Sequence, residues 1–514
     1  MTKIELDISN PSKVLAIFGF FLTIICLITK PIKTKLYLTD SSICTIIGII
    51  VGPFIIQWIS PLQWTSFNQS ISNQITYEIM RIVIGIQVFF SGIDLPKKYV
   101  KESWKSLGFM IGPLMTLTWL IVSLIIWLIL PNLNFLESMV ISACIAPTDP
   151  VLANSIIKGC YAEKNVNERI RHLLSSESGA NDGLGVPFMY LAIYLLRTIS
   201  GTSSSGLAIL DWFLEVILYE IGLGLVSGIL IGFLARKAVN FAKHKDLIDH
   251  ESLLIYSLGL PFFTLGVTGM MGIDDILVCF VAANSFNWDG GYANEIEKLS
   301  GHVLFHDLFD FFVSSALFIY IGTLIPWGDF NNQELGLTPS KLFLLSILIL
   351  IFKRLPLVAI SFKVLPELQT FKDVFFLGWF GPIGVGAVYY SQVGLREVPE
   401  EFIRIRELLI PVIMFMVFMS IFVYAISVPI IHFGGIFKDK LVSRNHIIDN
   451  RRNLNSQEDL RVDVQIDTNS NHQNKKSNSI LNRRNSISDD DLRLDIEDES
   501  NANYIKSTST TSIV

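Results

Sequence analysis

An aspartate between two prolines is the first residue whose chemistry asks for an explanation. Pro147, Thr148, Asp149 and Pro150 stand between the apolar stretches Leu136–Ile145 and Val151–Ala153. A carboxylate in hydrocarbon costs roughly 2.5–3.5 kcal/mol on insertion scales. Two prolines also remove two backbone donors and interrupt a helix. A second acidic place follows in Glu177-Ser-Gly-Ala-Asn-Asp-Gly183, where Glu177 and Asp182 point to different sides of one helix. The small residues Gly179, Ala180 and Gly183 let another helix come close. A third place is Asp274-Asp275, beside the break Gly269-Met-Met-Gly272, and a fourth is Lys353-Arg354 in an apolar run. Ionisable residues within spanning segments are functional hypotheses by default.

Each place also has a purely structural reading. Asp149 would cap a half-helix after a proline kink. Glu177 would pair with a buried cation such as Arg354, an arrangement tolerated only when both partners are present. Asp274 and Asp275 would cap a helix at a membrane surface. Lys353 would snorkel to an interface. Asp182 is the residue for which a structural role fits least well.

The elements that must position these residues are membrane spans. The chain has 514 residues, of which 51% are hydrophobic. The mean hydropathy is +0.50 even with a polar stretch from about Phe437 onward. Apolar runs of the ~20 residues a bilayer requires recur about thirteen times, near 14–29, 42–59, 77–93, 106–130, 136–157, 173–197, 212–235, 251–269, 273–287, 303–325, 341–362, 373–393 and 408–433. The fold expected is an all-α polytopic membrane protein. An N-terminal segment 1–13 precedes a transmembrane domain 14–435, and a disordered tail 436–514 follows. Loops after odd-numbered spans hold Lys30/Lys33/Lys35, Lys97/Lys98/Lys101/Lys105, Lys158/Lys164/Arg169/Arg171 and Arg236/Lys237/Lys243/Lys245, whereas the others hold almost none before Arg396. That bias puts the first set and the tail in the cytosol and the N-terminus outside. In the tail, Ser486 follows Arg483-Arg484 and Ser488 precedes three aspartates, so a kinase acting on either is a candidate partner.

The net charge of −6 says little about partners, and no basic patch with interleaved aromatics points to nucleic acid. Five cysteines without a C-x-x-C pair suggest neither disulfides nor a metal centre. No G-x-x-x-x-G-K-[ST] loop indicates ATP, and no cofactor is expected.

Helices broken at mid-membrane expose helix ends and carbonyls that can coordinate a small cation. The run Gly378-Trp-Phe-Gly-Pro-Ile-Gly-Val-Gly386 offers a second interruption, in span twelve. Two broken spans in separate parts of the chain suggest an ion site between inverted repeats. A carboxylate in a partly dry pocket binds a proton more readily than in water, and a neighbouring carboxylate adds to this. Competition between H⁺ and Na⁺ for Asp182, coupled to Asp149, would produce exchange without ATP. A membrane enzyme using Glu177 and Asp182 as acid and base lacks an accompanying nucleophile or metal cluster. A passive channel would show a repeated carbonyl filter or a charged ring, and neither is seen.

At these residues the chain resembles the fungal Na⁺/H⁺ antiporters of the monovalent cation:proton antiporter superfamily. The matching pieces are Thr148-Asp-Pro-Val-Leu152, Arg169-Ile-Arg-His-Leu-Leu174 leading into Glu177–Gly183, Val186-Pro-Phe188, Gly272-Ile-Asp-Asp275, Phe286-Asn-Trp288, Gly322-Thr-Leu-Ile-Pro-Trp327, Arg354-Leu-Pro356 and Gly381-Pro-Ile-Gly384, in order over about residues 10 to 435. The resemblance implies an inverted-repeat fold with two unwound crossing helices, divided into a core and a dimer domain. It implies a homodimer with elevator-like alternating access. Asp182 would carry the ion and the proton. Thr148 and Asp149 would shape the Na⁺ site, Ser178 would offer an oxygen ligand and Asn181 would brace Thr148. Glu177 would be held by Arg354, and Asp274 and Asp275 would be needed for transport. Ala146 and Pro147 occupy a neighbourhood tied to selectivity between Na⁺ and K⁺. The implied partners are the lipid bilayer, H⁺, Na⁺ and Li⁺, with K⁺ as a further candidate, and the implied role is salt tolerance and pH homeostasis. No retrieval signal is evident, so the plasma membrane is the expected location. The alternatives are a K⁺-preferring exchanger of an endosomal or vacuolar membrane, and the passive cation channel.

Overall fold

The computed structural model describes residues 10–432, apart from 37, 200, 202–203, 293 and 296–304. The first nine residues and the tail from 433, with Ser486 and Ser488, lie outside the described residues. Every regular element among the described residues is helical. In chain order the principal helices are α1 (Asn10–Pro31), α2 (Asp40–Val51) and α3 (Gln69–Ile93). Then come α4 (Trp104–Ile129), α5 (Phe135–Ile145), α6 (Pro150–Ile157), α7 (Glu168–Leu184) and α8 (Val186–Ile199). The long α9 (Ser205–His244) is followed by α10 (His250–Met271), α11 (Asp275–Phe286) and α12 (Phe305–Leu324). The chain continues through α13 (Pro339–Phe352), α14 (Leu355–Ile360), α15 (Phe371–Trp379), α16 (Val385–Glu397) and α17 (Ile403–His432).

Seven of these helices, and the stretch Pro339–Lys363 that holds α13 and α14, are long and apolar enough to cross a membrane, making eight spans, or nine if the bent pair α5–α6 counts as one. The thirteen apolar runs therefore do not all become single long helices. Some are cut by glycine and proline. α2 stops at Gly52-Pro53. The run 173–197 divides at Gly185, because Pro187 has no amide to continue the ladder. The run 341–362 turns at Lys353–Arg354, just ahead of Pro356, which has no amide to bond the carbonyl four residues back, so Arg354 becomes the non-helical cap of a new helix. The expected division between spans eight and nine is a helix end, with Gly272 left-handed at φ 65°.

Where α9 meets α11, glycines recur every fourth residue as Gly224, Gly228 and Gly232. Small residues at this spacing let two backbones approach, which is the main source of attraction between helices that lipid already solvates. A Cβ on Gly232 would lie 2.7 Å from the Ser285 Cβ and 2.8 Å from the Phe286 nitrogen. Overpacking such a contact costs ~1–3 kcal/mol. Gly232→Leu is expected to lower the thermal midpoint of the purified protein, read by size-exclusion chromatography after heating. Gly259→Leu, at a position with nothing within 4 Å of a built Cβ, is expected to leave it unchanged.

Candidate functional site

Two helices break at one place. α5 and α6 are bent by 42° about residues 146–149. α15 and α16 are separated by the extended segment Phe380–Gly384. The segments cross, and the Asp149 amide donates to the Pro382 carbonyl at 2.9 Å. On the second segment, the Ile383 amide donates to Ser420 Oγ at 2.8 Å, and the Tyr424 hydroxyl donates to the Gly381 carbonyl at 3.3 Å. Both side chains come from α17.

The crossing leaves four helix ends facing inward, and charged side chains meet them by sign. Helix N-termini attract negative charge and C-termini positive charge. Asp149 stands at the start of both α6 and α16. Its Oδ1 accepts from the Leu152 amide at 3.0 Å and its Oδ2 accepts from the Gly386 amide at 3.3 Å. Lys353 serves the end of α5, donating to the carbonyls of Ile145 at 2.7 Å and Pro147 at 3.0 Å. Arg354 serves the end of α15, with Nε donating to the Leu377 carbonyl at 2.7 Å. The other face of its guanidinium meets Glu177 through two bonds of 2.6 and 2.5 Å.

Lys353 corrects the sequence reading. It does not reach for an interface but is 2% exposed. The turn before Pro356 swings it inward, together with Arg354.

Thr148, Ser178 and Asn181 form one polar cluster. Thr148 Oγ1 and Ser178 Oγ are 3.0 Å apart, and Asn181 Nδ2 donates to Thr148 Oγ1 at 2.9 Å. The Thr148 amide returns a bond to Asn181 Oδ1 at 3.3 Å. Ala146 and Pro147 lie in the same unwound segment, and both are buried.

Asp182, on the opposite side of α7 from Glu177, is 1% exposed. Neither of its carboxylate oxygens has a hydrogen-bond partner. The Tyr390 hydroxyl donates to its backbone carbonyl instead. A Cβ on Gly386 would fall 2.6 Å from Asp182 Oδ1, so only glycine admits the carboxylate beside the start of α16. The cluster offers oxygen donors alone, from carboxylates, hydroxyls and an amide, which suits a hard cation such as Na⁺.

Asp274 and Asp275 are not part of this cluster. Asp274 caps α11, accepting from the Leu277 amide at 3.0 Å. Asp275 is bonded by Arg81 Nε, while Arg81 also reaches Glu78 at 3.0 Å and the Leu265 carbonyl at 3.1 Å. They line a cavity of about 540 Å³ with Glu220, Glu397 and Tyr389. A second cavity, of about 360 Å³, is lined by Asn154, Ser155, Asp307 and Asp310. Glu220, Asp307 and Asp310 were legible in the sequence as acids within apolar runs, the same signal that singled out Asp182, but no motif set them apart.

The fold agrees with comparison to known proteins. Residues 20–434 match the model of the family described as sodium/hydrogen exchanger, transmembrane. The chain is 34% identical over 447 residues to "Na(+)/H(+) antiporter 2" of Zygosaccharomyces rouxii, covering 84% of this chain and 54% of that one. It is 34% identical over 452 residues to a Na(+)/H(+) antiporter of Schizosaccharomyces pombe, covering 86% and 94%. Among structures, the sodium proton antiporter MjNhaP1 of Methanocaldococcus jannaschii superposes with a TM-score of 0.58 at 17% identity, over 81% of this chain and 100% of that one. The chain belongs to the sodium/hydrogen exchanger family. It spans about half the length of several of the curated relatives it matches. Those relatives are named as transporters, not as enzymes.

The Glu177–Arg354 pair gives a stability test. Removing one partner of a buried pair costs ~3–5 kcal/mol, whereas replacing both with apolar residues can be neutral. Glu177→Leu and Arg354→Leu singly are expected to lower the thermal midpoint sharply. The double variant is expected to recover part of the loss, since only the bond to the Leu377 carbonyl is then missing.

Proposed function

We propose that this chain is a secondary active antiporter that exchanges cytosolic Na⁺ for external H⁺ by competition at Asp182. The observation that carries this reading is the buried Asp182 carboxylate with both oxygens unpartnered, beside a crossing of broken helices whose other charges are all engaged. An isolated buried carboxylate is costly as an anion and is stabilised by a proton or by a small cation, one at a time. Thr148 and Ser178 would turn hydroxyl oxygens to the cation, while Asn181 holds Thr148 in place. Asp149 would contribute negative charge from the crossing, which the amides at the starts of α6 and α16 keep fixed. Glu177 and Arg354 would keep α7 registered against α15. Ala146 and Pro147 would set the width of the unwound segment and so bear on the choice among Na⁺, Li⁺ and K⁺. Asp274 and Asp275 would act on transport from the separate cavity.

In the same reading the chain works as a homodimer with alternating access. The N-terminus lies outside and the tail from 436 in the cytosol, where a kinase acts on Ser486 or Ser488. The location is the plasma membrane, with salt tolerance and pH homeostasis as the outcome.

The test is cation-driven dissipation of a pH gradient in proteoliposomes, with Na⁺, Li⁺ and K⁺ added in turn. Wild type is expected to collapse the gradient, and the cation series identifies the substrate. Asp182→Asn is expected to reduce the rate to that of empty liposomes. Exchange at the wild-type rate in Asp182→Asn would remove Asp182 from the carrier role.

A further inference from the structure

α9 and α11 leave a slot between them beyond their glycine contact. It has a volume of about 690 Å³ and is lined on α9 by Leu225, Ile229, Phe233 and Lys237, and on the α11 side by Phe280 and Trp288. The α9 residues are four apart, so they form one stripe along the helix. From Leu225 to Lys237 the stripe runs about 18 Å at 1.5 Å per residue, close to the reach of an acyl chain. Ile229 is 57% exposed and Phe233 is 50% exposed, so the slot opens toward the side that hydrocarbon would occupy.

Charge is confined to one end. There Arg236 directs Nε and Nη2 to Asp289 at 3.0 and 2.8 Å, and its Nη1 is buried without a hydrogen-bond partner. The Lys237 ammonium lies 4.7 Å from the centre of the Phe233 ring, over the mouth of the slot. Lys97 packs against Gly290 at the same end. Asp289 offsets one of these cations, and its other oxygen accepts from the Gly291 amide at 2.9 Å. Trp288, 43% exposed beside them, is the residue type that sits at headgroup level. An apolar slot ending in surplus positive charge matches a molecule with an acyl chain and an anionic head. A soluble anion would make no use of the apolar stripe.

We propose that this slot binds one anionic phospholipid of the membrane, with an acyl chain along Leu225, Ile229 and Phe233 and the phosphate at Arg236 and Lys237. The lipid would brace α11, the helix that begins with Asp274 and Asp275, against α9. The site is independent of the carboxylate at Asp182, and its test needs no transport.

The full chain is reconstituted in phosphatidylcholine containing a minor fraction of phosphatidylserine and then extracted in mild detergent. Retained lipids are counted by native mass spectrometry. Wild type is expected to retain phosphatidylserine well above its share of the mixture. Lys237→Gln is expected to lower that enrichment about fivefold, the effect of one basic side chain near a membrane surface. Asp289→Asn, which releases Arg236, is expected to raise it, a direction that mere misfolding would not produce. Ile229→Trp, which fills the slot, is expected to reduce retention of both lipids. Retention in proportion to the mixture, or enrichment unmoved by Lys237→Gln and Asp289→Asn, would overturn the proposal. So would slot variants that change the fraction of dimer and leave the lipid count alone, because a second copy of the chain would then cover the slot.

Discussion

The architecture rests on matching side-chain charge to four helix ends inside the membrane. Breaking a helix there exposes backbone groups that lipid cannot satisfy, at several kcal/mol each. The crossing is tolerable because the break is met locally. Asp149 receives amides from two N-termini at once, Lys353 and Arg354 give donors to two C-termini, and the two strands of unwound backbone bond to each other. Each charge is costly to bury alone, and so is each helix end. Together they offset one another, so neither the break nor the charges can be removed without exposing the other.

The accounting leaves one carboxylate over. In their ordinary charge states, Glu177, Asp149 and Asp182 supply three negative charges, and Lys353 and Arg354 supply two positive ones. The remainder is one negative charge, and it falls on Asp182, the member of the set without a hydrogen-bond partner. A single monovalent cation or a single proton brings the cluster to neutrality, and two at once overshoot it. In the exchange we propose, H⁺ and Na⁺ would compete for that uncompensated charge.

Much of this was legible in the sequence, for physical reasons that can be named. Pro147 and Pro150 flanking Asp149, and Pro382 among glycines, mark broken helices because proline removes a donor and fixes φ wherever it stands. The spacing of Glu177 and Asp182 put them on different sides of α7 because helical geometry is local. Lys353 was misread because its fate is decided by a turn. Pro356 signals that turn, but its direction depends on how α13 packs against α4 and α14 against α15. Pairs such as Arg81 with Asp275, or Gln87 with Asp310 at 2.8 Å, join residues about two hundred positions apart, and nothing in either neighbourhood specifies the other. The thirteen apolar runs were found by composition, which does not register where Gly185 or Arg354 divides a run into two helices.

Access to Asp182 is a question of the two ends of α3. Near its start, Tyr77, Glu78 and Arg81 line the cavity that holds Asp274. At its far end, Asp94 receives Lys158, which also bonds Asp307, each at 2.8 Å. At 1.5 Å per residue, Arg81 and Asp94 are about 20 Å apart along the helix, a large part of the ~30 Å hydrocarbon thickness. Asp182 lines neither cavity, so the carboxylate is closed to both ends at once. The two closures differ in kind. Beside the first cavity, Arg81 and Asp275 have side chains only 19% and 9% exposed, whereas Lys158 and Asp307 are both 45% exposed and Asp94 is 25% exposed. Half-exposed pairs contribute ~0–1 kcal/mol and a buried pair is far costlier to break. In the alternating access we propose, the end held by Lys158 would be the one that opens with the smaller electrostatic loss.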